Sequence, residues 1–278
     1  MGYRDESRDR WTRSANAWLE HADELRAWGM PVSSWMVDAI DPQPGDRVLE
    51  LAAGTGDTGF LAAELIQPGG ELTTSDWVPD MLRAAQERAA ALGVDGVRFR
   101  QIDATAIDIE AASLDGVLCR WGYMLMTDGD AALRETRRVL RPGGRVALAV
   151  WTSEEENPWS AVPRGVLTDR GVVPPVPPGA PGQFAWGAPG ALEEHLQDAG
   201  FVEYAVDGID MPRVHNSFEE WWEMTIAMAA SLRDAVDALP ASERQEIREE
   251  VRAAAAPWTA PDGRIEMPAR SWVAAAIA

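Results

Sequence analysis

The sequence contains no lysine, because all 25 of its basic residues are arginine. Schiff-base and pyridoxal-phosphate enzymes need a lysine amine, and so does the phosphate loop of nucleotide hydrolases, so these three classes are excluded. Cys119 is the only cysteine, which excludes an internal disulfide and a cysteine-based zinc site. The three histidines, His21, His195 and His215, are far apart and lack ligand spacing. No metal site is therefore predicted.

Long apolar runs and positive charge are also missing. No apolar run approaches the roughly 20 residues of a membrane helix, and the first residues are charged, unlike a signal peptide. The formal net charge is −20 over 278 residues. Such an excess of acid opposes binding to nucleic acid or to an anionic membrane. We therefore expect a cytoplasmic protein that binds neither.

Residues 47–59, RVLELAAGTGDTG, are the most informative stretch of the sequence. They predict a short buried strand, a turn with glycines at positions 54, 56 and 59, and a helix that follows. A strand, a glycine turn and a helix N-terminus together present free backbone N–H groups to a ligand. The unusual residue is Glu50, a carboxylate at the end of an apolar strand, which indicates a ligand with positive charge.

Strands and helices alternate on both sides of this turn, which predicts an α/β fold with a doubly wound, mainly parallel sheet. A proline- and glycine-rich insert, a later helical insertion and an antiparallel last strand, RSWVAAAIA, are expected after the core. The predicted strands are 47–51, 71–75, 97–101, 115–120, 145–151 and 201–211. The predicted helices are 59–67, 79–92, 129–139 and 189–199, with a weaker one near 106–112. The predicted domains are a helical cap (1–40), a cofactor-binding core (41–151), the insert (152–190) and the rest of the core (191–278) with a helical insertion at 217–256.

The glycine turn matches G-x-G-x-x-G, and Asp76 lies about twenty residues further on, as in a dinucleotide-binding site. Glu50 opposes that interpretation because it would repel a pyrophosphate. Acids recur after the next strands, as Asp76 and Asp103. A cleft ringed by carboxylates suits a ligand with an ammonium or sulfonium, a ribose and an exocyclic amine. S-adenosylmethionine has all of these groups.

Five segments in order, VLELAAGTGDTG, SDWVPDML, QIDATAID, LDGVLCRWGYML and RRVLRPGGRV, resemble class I S-adenosylmethionine-dependent methyltransferases. They are most similar to the small-molecule group that includes the ubiquinone and menaquinone methyltransferases. The resemblance covers about 45–150 well and 201–211 moderately. It implies a Rossmann-like sheet of seven strands, a biosynthetic transferase activity and S-adenosylhomocysteine as the product. One departure is Ala52, where the family has its first loop glycine.

The resemblance also implies roles for polar residues. Glu50 would accept hydrogen bonds near the methionine ammonium of the cofactor, and Asp76 would bind both ribose hydroxyls. Asp103 would accept from the adenine amino group, and the Ala104 N–H would reach a ring nitrogen. Arg120 would contribute its backbone carbonyl near the methionine end.

The remaining cofactor contacts that the resemblance implies involve backbone and apolar groups. Ala52, Gly54 and Gly56 would let the loop backbone approach the cofactor. Trp77 and Met81 would hold the adenine between them.

The methyl acceptor is less well defined by the sequence. The chain has 13 tryptophans against 5 phenylalanines, and several of them fall beside the expected cleft. They predict a small, largely apolar or aromatic acceptor, methylated on oxygen or carbon, with Trp121, Tyr123 and Trp222 as its contacts. A general base is needed only if the acceptor must lose a proton. The candidates are His215, His21 and Tyr123, and no catalytic residue is assigned.

Other interpretations remain open. An NAD-dependent oxidoreductase has the same architecture, although Glu50 opposes it. A protein that binds S-adenosylmethionine without catalysis is equally compatible, because methyl transfer requires no particular catalytic side chain. The apolar cap helices are also compatible with a homodimer.

Overall fold

The protein is built on a seven-stranded sheet, seen in a computed structural model that describes residues 2–278. The sheet order is β3-β2-β1-β4-β5-β9-β6, and β7 and β8 form a separate antiparallel pair. The strands are β1 (Arg47–Glu50), β2 (Glu71–Asp76), β3 (Val97–Gln101), β4 (Leu114–Arg120), β5 (Leu140–Trp151), β6 (Glu203–Asp210), β7 (Arg213–His215), β8 (Ile265–Met267) and β9 (Arg270–Ile277).

Helices surround this sheet and also form the N-terminal segment. They are α1 (Tyr3–Glu20), α2 (Ala22–Ile40), α3 (Asp57–Leu65), α4 (Pro79–Leu92), α5 (Gly129–Val139), α6 (Pro158–Asp169), α7 (Ala191–Asp198), α8 (Phe218–Met228), α9 (Ala230–Asp237) and α10 (Ala241–Ala254). None of the helices in the described part of the chain is both long and apolar enough to cross a membrane.

The topology confirms the predicted fold class. Strands β1 to β5 are parallel, and β9 lies antiparallel between β5 and β6. The strand order reverses between β1 and β4, so the carboxyl ends of these two neighbours leave a crevice between their loops. Val117, Leu118 and Leu148 in the central strands are fully buried, as expected for strands covered on both faces.

Several local predictions were wrong. The weak helix near 106–112 is absent, and this segment consists of turns and bends. Strand β5 begins at Leu140, because Leu140 pairs with Leu114 across an irregularity that includes the Arg-Pro-Gly-Gly turn. The proline- and glycine-rich insert, 152–190, contains one helix, α6, which was not predicted. The predicted N-terminal helical cap, by contrast, forms two consecutive helices, α1 and α2, and Met1 lies outside the described residues.

A second, smaller apolar core lies among the helices after the sheet. Ser217 caps the first helix of this region, because its Oγ accepts a hydrogen bond from the Glu220 backbone N–H at 3.1 Å. Helix α8 begins there and buries its aromatic side chains against α6, α10 and the β7–β8 pair. This second core contains Leu167, Phe218, Trp221, Trp222, Ile247 and Ile265.

Candidate functional site

The candidate site is a cavity at the carboxyl edge of the sheet, where β1, β2 and β4 end. Glu50, Asp76 and Arg120 close these three strands, and all three side chains line the cavity. The opposite wall is formed by α1, which contributes Trp11 and Trp18. The cavity therefore has a charged wall at the sheet and an aromatic wall at the N-terminal helix.

Glu50 is buried and held against the start of α3. It is 3% exposed, and its Oε1 accepts a hydrogen bond from the Gly59 N–H at 2.9 Å. Only glycine permits this contact, because a Cβ at position 59 would lie 2.5 Å from Glu50 Oε2. Burial raises the pKa of Glu50 to about 7, although the Gly59 hydrogen bond and the Arg120 charge act in the opposite direction. The carboxylate is thus poised to ionise when a cation arrives.

Asp76 joins the glycine loop to the start of α4. Its Oδ2 accepts from the Gly54 N–H at 3.1 Å and its Oδ1 from the Val78 N–H at 3.0 Å. Burial raises the pKa of Asp76 to about 6 despite these backbone hydrogen bonds. The side chain therefore lines the cavity and also fixes the shape of the loop beside it.

The third acid, Asp103, lies on the same cavity and is tied to the N-terminal helix. Trp77, Met81 and Ala104 line the cavity beside it. Burial alone would raise the pKa of Asp103, but hydrogen bonds from Thr105 and from Arg4 of α1 lower it below its usual value. The Arg4–Asp103 ion pair thus connects the cap helix to the sheet edge at the expected adenine end.

Arg120 contributes its side chain as well as its predicted backbone carbonyl. Its Nη1 donates to Ser33 Oγ at 3.2 Å, and its Cζ lies 4.6 Å from the centre of the Trp121 ring. Burial lowers the pKa of Arg120, whereas the charges of Asp57 and Glu50 act in the opposite direction. A guanidinium therefore faces the carboxylate of Glu50 across the crevice between β1 and β4.

The glycine loop adopts backbone conformations that favour glycine. Gly54 and Gly56 have φ angles of 56° and 82°, and Ala52 has a φ of 49°. A residue with a Cβ pays roughly 1 kcal/mol or more for the left-handed region. Ala52, the position where the sequence departs from the family pattern, therefore stores strain directly beside the cavity.

The N-terminal cap helix and its tryptophans were expected near the cleft, whereas Arg4 and Ser7 of the same helix were not predicted to line it. Arg4, Ser7, Trp11 and Trp18 of α1 all line the cavity. They follow one another at intervals of three, four and seven residues, which places them along one face of a helix. The spacing alone predicts that these residues share one helix face, but it does not identify the element that this face contacts.

The structure places three predicted candidates away from the cavity. Tyr123 is fully buried in the main core, where its hydroxyl lies 2.6 Å from Thr136 Oγ1. Trp222 lies in the second core and is 8% exposed. His21 sits at the junction of α1 and α2. Tyr123 points inward because the helical turn after Gly122 turns it towards α5, whereas Trp121, also predicted as an acceptor contact, lines the cavity.

His215 also lies outside the cavity wall, on β7, and is 8% exposed. Burial lowers its pKa, and the neighbouring Arg213 charge lowers it further, while Glu220 opposes the shift. Among residues 2–278, no group of three or more histidine, cysteine, aspartate or glutamate side chains is placed to hold a metal ion.

Residues 42–167 match the family described as "Methyltransferase domain". Nocamycin O-methyltransferase of Saccharothrix syringae is 33% identical over 188 residues, covering 62% of this chain and 65% of that protein. The ubiquinone/menaquinone biosynthesis C-methyltransferase of Pasteurella multocida is 35% identical over 127 residues, covering 45% of this chain and 47% of that protein. The chain thus spans less than two thirds of the length of the curated relatives it matches.

The solved structure of the YcgJ protein from Bacillus subtilis has the same fold. It superposes with a TM-score of 0.61 at 18% identity, covering 89% of this chain and 98% of that one. The family match agrees with the methyltransferase domain predicted for this part of the chain.

Proposed function

We propose that the protein, whose residues 42–167 match a methyltransferase domain family, transfers a methyl group from S-adenosylmethionine to a small, largely apolar or aromatic acceptor. The observation that carries the proposal is the composition of the two cavity walls. Carboxylates stand at the ends of β1 and β2, and tryptophans of α1 and Trp121 face them. A charged wall suits the cofactor, and an aromatic wall suits a flat acceptor.

The residues present fit the cofactor. Glu50 is an acid with its pKa raised to about 7, so it gains a partner when an ammonium group binds nearby. Asp76 has two carboxylate oxygens, as recognition of two ribose hydroxyls requires. Trp77 and Met81 line the cavity next to Asp103 and supply an apolar surface for the adenine. These assignments are part of the proposal.

When bound, S-adenosylmethionine supplies an electrophilic methyl group on a cationic sulfonium. The protein would act chiefly by holding the acceptor atom in line with that methyl group and by excluding water. Trp18 lines the cavity, where an aromatic ring can stabilise a cation, and the Arg4–Asp103 pair connects the cap helix to the sheet edge. We assign no general base.

The relatives support both oxygen and carbon as the methylated atom. One is named an O-methyltransferase and the other a C-methyltransferase of ubiquinone and menaquinone biosynthesis. In-line transfer makes the same demands on the cavity in both cases, so the acceptor's own chemistry decides between them.

Calorimetric titration with S-adenosylmethionine, S-adenosylhomocysteine and NAD tests the proposal first. Micromolar binding of the first two and none of NAD is expected. Incubation with methyl-labelled S-adenosylmethionine and a panel of phenols, catechols and quinols should then label at least one acceptor. Binding of NAD alone would favour an oxidoreductase, and cofactor binding without any labelled product would favour a non-catalytic role.

The raised pKa of Glu50 predicts a pH dependence of cofactor affinity. Below the pKa of about 7 this carboxyl is neutral in the free protein, so binding of the cofactor ammonium must release its proton. Affinity for S-adenosylhomocysteine should therefore rise as the pH increases from about 5.5 to 7.5, by up to about tenfold per pH unit well below the pKa. Calorimetry at several pH values measures this slope.

The Glu50→Gln variant serves as the test of this assignment. It should bind more weakly at pH 7.5 and lose the slope above about pH 6, since only Asp76, with a pKa of about 6, still titrates below that point. Glu64→Gln, an exposed acid on α3, is the matched control and should keep the full slope. An unchanged slope in Glu50→Gln would contradict the prediction.

A further inference from the structure

Arg213 is a buried arginine without an acidic partner. It lies on β7, is 6% exposed, and makes no salt bridge within residues 2–278. Its Nε is buried and donates to no protein atom. Burial alone lowers the pKa of Arg213 well below its usual value, and no nearby carboxylate opposes the shift. Burying a charge without a partner destabilises the folded protein, so the presence of an arginine at position 213 needs an explanation.

Two tryptophan rings, inclined at 69° to each other, contact the Arg213 guanidinium. Its Cζ lies 3.5 Å from the Trp28 ring centre and 3.4 Å from the Trp159 ring centre. The two rings are themselves anchored, because the Trp28 indole N–H donates to the Met211 carbonyl and the Trp159 indole N–H donates to Asn157 Oδ1. Such cation–π contacts partly offset the cost of burying the charge. The two rings, here called the aromatic clamp, accept no hydrogen bond from Arg213, so its Nε–H stays available to a partner.

A second unpartnered polar atom lies on the same face of β7. Arg213 and His215 are two residues apart in a strand, so their side chains point to the same side. His215 Nε2 is buried and has no hydrogen-bond partner, while its Nδ1 lies 3.7 Å from Glu220 Oε1. Buried polar atoms of folded proteins nearly always have hydrogen-bond partners. Two nitrogen atoms without one, on the same buried face of β7, therefore indicate that a polar ligand binds there.

Other arginines with an unpartnered buried nitrogen differ from Arg213 in one respect. Arg88 pairs with Asp57 and Asp23, and Arg248 pairs with Glu219. The charge of each is thus already compensated. In the described part of the chain, Arg213 combines a buried, unsatisfied nitrogen with the absence of any acid.

The aromatic clamp is continuous with the cofactor cavity. Trp121 lines the cavity, and its ring centre lies 5.2 Å from that of Trp28, which covers Arg213. The Trp121 backbone has a φ of 57°, a strained conformation held in place by an indole hydrogen bond to Ser271 Oγ at 2.7 Å. The rings of Trp121 and Trp28 therefore connect the cavity to the guanidinium through direct contacts.

We propose that Arg213, assisted by His215, binds the carboxylate of the methyl acceptor, which makes the acceptor a small aromatic acid. This inference rests on the proposed function. The planar N–H edge of a guanidinium matches a carboxylate in a bidentate arrangement, and contact with the two tryptophan rings restricts the movement of Arg213 in advance. The acceptor's aromatic ring would lie against Trp121, with its reacting atom towards the cavity.

The test compares matched acids and amides. Benzoate, 3,4-dihydroxybenzoate and 2-naphthoate, each beside its amide, are titrated into the protein by calorimetry with and without S-adenosylhomocysteine. At least one acid should bind about tenfold or more tightly than its amide. Arg213→Gln should abolish that difference, and Arg248→Gln, which removes a paired arginine of the second core, should keep it. Failure of S-adenosylhomocysteine to bind would count against the proposed function alone, because acid preference is also measured without it.

Arg213→Lys provides a second variant in case Arg213→Gln does not fold. It keeps the charge but lacks the planar fork, so it should weaken binding of the acid while leaving binding of the amide unchanged. Equal binding of every acid and its amide by the wild-type protein would overturn the proposal. So would an acid preference that survives in folded Arg213→Gln or is undiminished in Arg213→Lys.

Discussion

Asp76→Ala is expected to weaken S-adenosylhomocysteine binding by at least about 100-fold, which corresponds to about 2.8 kcal/mol. The proposed ribose hydrogen bonds to a buried carboxylate would each contribute about 1.5–3 kcal/mol. The same substitution frees the backbone N–H groups of Gly54 and Val78, which Asp76 holds at 3.1 and 3.0 Å. The loop should therefore lose its shape together with its ligand contact. Calorimetric titration, carried out below the unfolding temperature of the variant, measures the loss.

Two further variants separate these contributions. Asp76→Asn keeps the size of the side chain but only one oxygen acceptor, so its affinity should fall between wild type and Asp76→Ala. Asp80→Ala removes a half-exposed acid on the first turn of α4 and should bind normally. An affinity for Asp76→Ala within threefold of the wild type would exclude Asp76 from the cofactor site.

Trp222→Ala should lower the free energy of unfolding by about 3–5 kcal/mol, the usual cost of truncating a buried tryptophan. Trp222 is 8% exposed and packs in the second core, where its ring stacks on Phe218 with centres 6.3 Å apart. A loss of this size corresponds to roughly 10 °C in the unfolding temperature of a protein of this length. Thermal and denaturant unfolding of the variant measure both quantities.

Trp121→Ala is the matched comparison, because Trp121 lines the cavity and Trp222 does not. Once an acceptor is known, Trp121→Ala should raise its KM about tenfold through loss of a stacking surface, with cofactor affinity nearly unchanged. Trp222→Ala should leave both KM and cofactor affinity near wild type at low temperature. The opposite pattern, with KM raised only in Trp222→Ala, would return Trp222 to the acceptor site.

The alternation of strands and helices, the position of the glycine turn and the candidate acids were predictable from the sequence because they depend on local properties. Glu50 stands out as an acid at the end of an apolar strand, and Asp76 and Asp103 as acids just after the next two predicted strands. The carboxyl ends of parallel strands meet at one edge of the sheet, so these acids were expected to lie together. The antiparallel last strand was also predicted from its composition and position, and β9 does pair antiparallel with β5.

The errors concern residues whose direction depends on partners distant in the sequence. Trp121 and Tyr123 are two residues apart after the same strand, yet the first lines the cavity and the second points into the core. Trp222 occupies a helix whose apolar face was clear, but its partners on α6 and α10 were not. Hydrophobicity predicts that a tryptophan will be covered, and it does not specify by what.

The sequence by itself determined the fold class, the location of the cofactor loop and the acids around it, because strand periodicity, glycine conformation and charge act over a few residues. Only the tertiary structure decided that α1 forms the second wall, with Arg4 paired to Asp103. It alone brought Trp28, Trp159 and Arg213 together from three distant segments. The physical reason is that such contacts arise from packing between elements, whose relative placement depends on the complementarity of whole surfaces rather than on any local pattern.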